Sequence, residues 1–371
     1  MKIIVFRTQL FKPSERFIRD QAAALPTAEV LLLGRTVMGE PDRQLQHRTL
    51  GGGRLDALRF VVGGDVSRFV RTIRGFEASL IHAHFAVDGL YAKTIARRLD
   101  VPLVTTLHGF DITTRRFDLL QSGRPALARY ALLQNGLKRD GSLFICVSDF
   151  MLRQALKAGY PEQRLRKHYI GVDTSAFSPG NLASPEPVFL HVARLVEKKG
   201  TAYLLQAFAV VLKRVPEARL EILGDGPLRT QLESLAGELG ISQRVTFLGS
   251  RPHAEVRHRL GRSWCLVLPS ITARNGDAEG LGMVLLEAAA SAVPTVATRH
   301  GGIPEAVRDG ESGILVAERN AQELAGAMLE IAADSSLRSR MGARAREIAE
   351  TDFDLSRQSV QLESIYREVI G

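Results

Sequence analysis

Short apolar runs alternate with longer stretches whose apolar residues recur every three or four positions, from one end of the chain to the other. The short runs suit buried strands and the longer ones amphipathic helices, so their alternation marks βα units on a parallel sheet. In the first half strands are expected at residues 2–6, 29–33, 80–83, 103–107, 143–147 and 167–170, with helices at 14–25, 88–99 and 149–158. Ser148 precedes the last of these as a helix cap. The second half repeats the rhythm, with strands expected at 188–192, 220–223, 245–248, 265–268, 295–297 and 314–316. Its helices are expected at 201–214, 227–239, 254–260, 283–290, 321–332 and 336–351. A Pro-, Gly- and Ser-rich passage, residues 178–187, parts the halves as a linker. Residues 35–53, which end in Gly51-Gly52-Gly53, carry no readable pattern.

This pattern predicts an α/β protein of two doubly wound, Rossmann-like domains, 1–180 and 181–354, facing one another across a cleft. The amphipathic stretch 355–371 is suited to form a C-terminal helix that packs back on the first domain. Ligands of open α/β sheets bind outside the carboxyl ends of the strands, so the cleft is the expected site.

A chain of 371 residues matches this division, since domains run to about 150–200 residues each. Cys146 and Cys265 each lie inside an apolar run and read as buried free thiols of a reducing compartment. Neither stands in a metal-ligand spacing. The first apolar run is too short for a signal peptide, and no stretch approaches the 18 or so apolar residues of a membrane helix. The expected location is therefore the cytoplasm, with any membrane contact peripheral.

Charge changes the picture more than composition does. Residues 1–180 hold 27 Lys+Arg against 16 Asp+Glu, whereas residues 181–371 hold 22 against 24. The excess is concentrated in clusters such as Arg68/Arg71/Arg74, Arg97/Arg98, Arg115/Arg116 and Lys138/Arg139. It points to an anionic partner for the first half, such as a membrane surface or a lipid-linked phosphate, or else to a solvated basic face. Nucleic acid is not expected, because aromatics make up only 6% of the chain and none interleave with the basic clusters.

The strongest chemical signal is Asn275-Gly-Asp-Ala-Glu279-Gly280-Leu281-Gly282-Met283-Val-Leu-Leu-Glu287, which follows the strand 265–268. Gly280 and Gly282 let a ligand approach the backbone, and a helix starting there presents amides to negatively charged oxygens. Eight residues at a helical rise place the two carboxylates up to roughly 12 Å apart. That is too far for an acid and base on one bond, and it suits two hydroxyl-bearing rings of an extended ligand. Arg194 and Lys199 lie in a loop at a strand end, where they can neutralise an anionic group or form an ordinary solvated basic loop. Lys198 between them is expected to face solvent. His108 ends the strand 103–107, and Asp111 is placed either to cap the next turn or to act directly. His82 and His84 share one strand face, without a third ligand in a recognisable spacing, so no metal is expected.

The segment from Glu279 to Glu287 resembles the two-glutamate signature of retaining family 4 glycosyltransferases of the GT-B fold. Segments similar to the same family occur in order at Leu107-His108-Gly-Phe-Asp111, Ile170-Gly-Val-Asp173, Val192-Ala-Arg194-Leu-Val-Glu-Lys-Lys199-Gly200, Leu223-Gly224-Asp-Gly-Pro227 and His300-Gly-Gly-Ile-Pro-Glu305. The likeness spans nearly the whole chain and is nearest to bacterial exopolysaccharide enzymes such as those of colanic acid assembly.

The resemblance implies that Glu279 meets donor-sugar hydroxyls, Glu287 the ribose, and the amides of Gly280, Leu281, Gly282 and Met283 the sugar and diphosphate. Arg194 and Lys199 would neutralise the diphosphate, and His108 would lie near the anomeric carbon, a structural histidine being the other reading. Gly224 and Arg251 resemble base-proximal loops, though a plain surface turn explains them equally well. On the acceptor side Ser14, Glu15, His84 and Asp111 are the candidates. The family's glycine-rich loop after the first strand is replaced here by Thr8-Gln-Leu-Phe-Lys-Pro-Ser14, so diphosphate contacts from the first domain are left unassigned.

The implied reaction is transfer of a hexose from a nucleoside diphosphate sugar, UDP before GDP, to a hydroxyl of a glycan, lipid-linked or small-molecule acceptor. It would proceed with retention by front-face transfer, without a metal or other cofactor. The alternatives are a sugar-nucleotide epimerase or phosphorylase on the same frame, and a catalytically silent nucleotide-sugar-binding scaffold subunit.

Overall fold

The first sheet is built from seven parallel strands in the order Gln46–Thr49, Glu29–Gly34, Lys2–Phe6, Leu80–His84, Leu103–Leu107, Leu143–Cys146, Leu165–Lys167. Numbered along the chain, that order is 3-2-1-4-5-6-7, the doubly wound arrangement. The central strands Leu80–His84 and Leu103–Leu107 are buried along their whole length because both faces are covered, although they carry His82, His84, Thr105 and Thr106. Helix Leu355–Ile370 lies on one face, where Leu362, Ile365 and Tyr366 join Ile3, Val5, Leu32, Leu80 and Val104 in one core. Helix Ala86–Leu99 packs on the Leu80–His84 and Leu103–Leu107 strands.

The computed structural model describes residues 1–51, 53–177, 179 and 186–371. Most of the linker expected over 178–187 therefore lies outside the described residues, as does Gly52. The chain divides into two compact units, Met1–Gly171 with Leu355–Gly371, and Val172–Asp354. The sheet of the second unit has six parallel strands in the order Val245–Gly249, Arg219–Leu223, Val188–Val192, Cys265–Leu268, Thr295–Thr298, Gly313–Val316. Along the chain this is 3-2-1-4-5-6, the same winding. Its core gathers Phe189, Leu220, Ile222, Cys265 and Val267 of the sheet with Leu204, Phe208, Leu324 and Met328 of helices Thr201–Leu212 and Ala321–Ala333.

Most expected elements are present within a residue or two, and Ser148 caps helix Asp149–Lys157 by accepting from the Met151 amide at 3.1 Å. One strand is displaced: it spans Leu165–Lys167 rather than 167–170, because Leu165 pairs with Phe144 and Lys167 with Cys146. It is an edge strand whose basic side chains stay outside, so the apolar residues beyond it gave a false frame. The unreadable stretch 35–53 contains Thr36–Val37, paired with Gln9–Leu10, and the polar edge strand Gln46–Thr49. Helix Pro125–Asp140 was not anticipated, since its leucines fall on exposed as well as buried positions and leave no clean period. No helix of the described residues is long and apolar enough to cross a membrane.

Candidate active site

In the second unit the winding reverses between the Val188–Val192 and Cys265–Leu268 strands, so the loops after these two strands leave the sheet side by side. The first loop carries Arg194, Lys198 and Lys199, and the second carries Asp277 and Glu279. They are tied together by the Ile271 amide, which donates to the Lys198 carbonyl at 2.7 Å. Gly200 is required at the crossing: at φ 64° it lies so close to Pro269 that a Cβ would sit 1.8 Å from the carbonyl oxygen.

Across this join the Lys199 ammonium is ion-paired with the Glu279 carboxylate. Burial alone would raise the Glu279 pKa, but the Lys199 and Lys198 charges outweigh it and hold the carboxyl at about 2. Burial lowers Lys199, and the Glu279 charge opposes that shift. The expectation that Lys198 faces solvent is corrected: it is buried and bonded to Asp277 at 3.0 Å. The second loop folds its carboxylates back over the first, which a sequence pattern does not reveal.

The backbone of Glu279 is fixed as firmly as its side chain. Its amide donates to His300 Nε2 at 3.1 Å, and its carbonyl accepts from the Gly302 amide at 3.1 Å. Because Nε2 accepts, the His300 proton is on Nδ1, which donates to Glu318 at 2.8 Å. His300 lay in a motif noted in the sequence, but its hydrogen bonds were not foreseen.

Gly280, Leu281 and Gly282 follow, all buried, and helix Met283–Ala290 begins where expected. Gly282 caps it at φ 91° and brings no side-chain acceptor, and of the first-turn amides that of Leu285 donates to the Gly282 carbonyl at 2.9 Å. Glu287 lies one turn up the helix from Met283 and is bonded at 3.0 Å to Nε2 of His253, a residue the sequence reading missed. The Phe177 ring meets that imidazole edge-on, and His253 Nδ1 is buried without a partner among the described residues.

Gly224 is more than a surface turn. At φ 125° it presses on the Arg194 loop, where a Cβ would fall 1.9 Å from the Ala193 carbonyl oxygen, and Asp225 accepts from the Leu195 amide at 2.9 Å. Arg194 itself is exposed and has no ion pair among the described residues, and Arg251 is also exposed.

The first unit repeats this geometry at its own reversal, between Lys2–Phe6 and Leu80–His84. Here Arg7, just past the first strand, bonds Asp88 at 2.5 Å and Glu15 at 2.8 Å, and its guanidinium lies 4.5 Å from the Phe85 ring centre. Asp88 also accepts from the Thr8 amide at 2.7 Å and the Thr8 hydroxyl at 2.6 Å. This network holds the loop that stands in place of a glycine-rich one, with Ser14 exposed at its tip and Glu15 drawn inward. Neither Arg7 nor Asp88 stood out in the sequence, because each is a single charge at an element boundary.

His108 is stacked on the His84 ring at 5.2 Å and meets the tilted rings of Phe85 at 4.4 Å and Phe17 at 5.1 Å between centres. Its Nε2 shares a hydrogen bond of 3.0 Å with Nδ1 of His84, whose ring lies 4.4 Å from that of His82. His82 bridges Thr106 at 2.7 Å and Tyr366 of the C-terminal helix at 2.6 Å. Burial, and then the neighbouring basic groups, push all three imidazoles well below their ordinary pKa, so they are neutral near pH 7. Asp111 is buried beneath, accepting from the amides of Ala86 at 2.8 Å, Gly109 at 2.9 Å and His108 at 3.2 Å. Burial raises its carboxyl and these amides draw it down. Among the described residues no group of three His, Cys, Asp or Glu is placed to hold a metal ion.

The structure thus gathers Arg194, Lys199, Glu279 and the Gly280–Met283 turn at carboxyl strand ends of the second unit, and Glu15, His84, His108 and Asp111 at those of the first. Comparison with known proteins gives this geometry a family. Residues 173–348 match the glycosyl transferases group 1 family, and residues 14–176 match glycosyltransferase family 4. WcaL of Salmonella typhimurium, described as a glycosyltransferase of colanic acid biosynthesis, is 32% identical over 326 residues, 84% of this chain and 78% of that protein. The GDP-mannose-dependent α-(1-6)-phosphatidylinositol monomannoside mannosyltransferase of Mycolicibacterium smegmatis is 31% identical, over 67% of this chain and 65% of its own. Among solved structures, Anabaena HepE in complex with UDP-glucose superposes with a TM-score of 0.80 at 23% identity, covering 99% of this chain and 100% of that one. The chain belongs to the family 4 glycosyltransferases and has the GT-B fold.

Proposed function

We propose that this chain transfers a hexose from a nucleoside diphosphate sugar to a hydroxyl acceptor, with retention at the anomeric carbon. The observation that carries the reading is the Lys199–Glu279 pair, set at the reversal of the sheet beside the N-terminus of helix Met283–Ala290. A cation and dipole there suit a diphosphate, and a carboxylate held ionised suits sugar hydroxyls. A UDP-glucose complex of a protein with the same fold supports UDP as the carrier, while a GDP-mannose-dependent relative keeps GDP as the second candidate.

In the proposed step the acceptor oxygen attacks the anomeric carbon from the face that the diphosphate leaves. The carbon–oxygen bond to phosphate breaks as the new glycosidic bond forms, and the acceptor proton passes to the departing phosphate oxygen. Arg194, Lys199 and the amides of Gly280, Leu281, Gly282 and Met283 stabilise the growing negative charge. Glu279 orients the hexose through its hydroxyls, and Glu287 holds the ribose. His108 is assigned to the reacting carbon; a neutral ring there does not repel the positive charge that develops on the sugar. Gly224 and Arg251 are assigned to the base, and Ser14, Glu15, His84 and Asp111 to the acceptor side. No metal or other cofactor enters the proposal.

A turnover screen of UDP- and GDP-hexoses with water, simple alcohols and glycans tests this reading. The expected outcome is nucleoside diphosphate release that requires a hydroxyl acceptor. Conversion of the donor alone would indicate an epimerase, release only with inorganic phosphate a phosphorylase, and binding without turnover a silent subunit.

A further inference from the structure

Twelve large apolar side chains are exposed among the described residues, and all twelve lie in the first unit. That unit also carries the charge: 29 Lys+Arg against 17 Asp+Glu, where the second unit holds 20 against 23. Isolated exposed leucines need no explanation, but here several fall together.

Helix Arg54–Val61 turns Phe60 inward, against Phe69 and Tyr91. Outward it presents Leu55, Leu58 and, just past its end, Val62, which are 73%, 58% and 49% exposed. The spacing of three and four residues puts them on one stripe. Helix Pro125–Asp140 continues this surface: Arg129 donates to the Val62 carbonyl, and Leu132 and Leu133, one turn further on, are 61% and 44% exposed. The helix's own carboxylate, Asp56, is paired with Arg68, and the nearby Asp65 accepts from the Ser67 amide at 2.9 Å. Arg54 and Arg59 are exposed and have no ion pair among the described residues.

We infer that this face docks on an anionic lipid bilayer, with the leucine stripe entering the headgroup boundary and Arg54 and Arg59 meeting lipid phosphates. An apolar stripe flanked by unneutralised arginines is the pattern of a helix lying in a membrane interface. A second copy of the chain would bring like charges together at the same face, and an apolar protein groove would leave the arginines unsatisfied. The inference deepens the proposed reaction, since a lipid-linked acceptor is met at a bilayer, but it is read without turnover.

The test is co-sedimentation of the full chain with vesicles of phosphatidylcholine alone or with about one third phosphatidylglycerol. Binding is expected only to the anionic vesicles, and is expected to fall steeply toward about 0.5 M salt. Leu55→Ser/Leu58→Ser/Val62→Ser, and separately Arg54→Ser/Arg59→Ser, should each weaken it on the order of 10-fold. Both variants should keep the parent's Tm and nucleotide affinity, which shows that fold and donor site are intact. No vesicle binding, equal binding to neutral vesicles, or unchanged binding by both variants would overturn the inference. So would concentration-dependent dimerisation abolished by the leucine variant, which would assign the face to self-association. Loss of turnover with vesicle binding retained would instead count against the proposed reaction.

Discussion

The Lys199 ammonium and the Glu279 carboxylate form an ion pair in which the two side chains are only 12% and 13% exposed. A buried pair is poor evidence of stabilisation in itself, because desolvation of both charges offsets their attraction. Its placement at the sheet reversal suggests retention for chemistry. Replacing Lys199 by Ala leaves a buried carboxylate unpaired, and should lower stability by about 3 kcal/mol along with turnover. The double change Lys199→Met/Glu279→Leu should recover most of the lost Tm and none of the turnover. Recovery of both would assign the pair to the fold alone.

Arg194 offers a cleaner test because it is exposed and unpaired among the described residues. Arg194→Ala should lower kcat on the order of 100-fold, as expected for one lost charge-stabilising group, with Tm unchanged. Near-normal turnover would remove it from the proposed diphosphate site.

Glu287 and His253 make a prediction about the nucleotide. Glu287→Ala should weaken binding of free UDP or GDP by about 10-fold or more, the effect of losing a charged hydrogen bond. His253→Ala should weaken it less, by freeing the Glu287 carboxylate rather than removing it. Calorimetric affinities that match the parent in the Glu287 variant would refute a ribose contact.

His84 is expected to act through His108. The change His84→Phe keeps a ring in the stack and removes the 3.0 Å hydrogen bond. It should lower kcat on the order of 10-fold through misorientation while leaving the donor KM in place. A rise in the donor KM with kcat unchanged would instead place His84 at the donor, against its acceptor-side assignment.

The pH dependence of stability follows from Glu279, whose carboxyl is depressed from 4.5 in the unfolded chain to about 2 in the folded protein. Its contribution is fully present above about pH 4.5 and is lost as the pH falls through the folded value. Lys199 has the opposite sign: its lowered pKa means the folded state opposes its charge at every pH below that value. Acid unfolding between about pH 4.5 and 2 should therefore be shallower in Glu279→Gln than in the parent, as followed by circular dichroism. Parallel curves would contradict the assignment of the shift.

How much of this was legible in the sequence depended on burial. The strands at 2–6, 103–107, 188–192 and 265–268 and the helix at 283–290 agree to the residue, because apolar cores enforce a period. Gln46–Thr49 and Leu165–Lys167 sit at sheet edges, where one bare side removes that constraint, and so they were missed or displaced. Glu279, Lys199 and Glu287 were singled out by glycines, loop context and the family resemblance. Lys198–Asp277, Arg7–Asp88 and His253–Glu287 were not, since each pair joins residues from 34 to 81 positions apart. Only the packing of distant segments onto one another creates them.

The central claim is hexosyl transfer with retention, and the configuration of the first-formed product tests it most directly. Proton NMR of the reaction with an α-linked nucleoside diphosphate hexose should show an α-glycoside before any anomeric equilibration. A β-glycoside as the first product would contradict it.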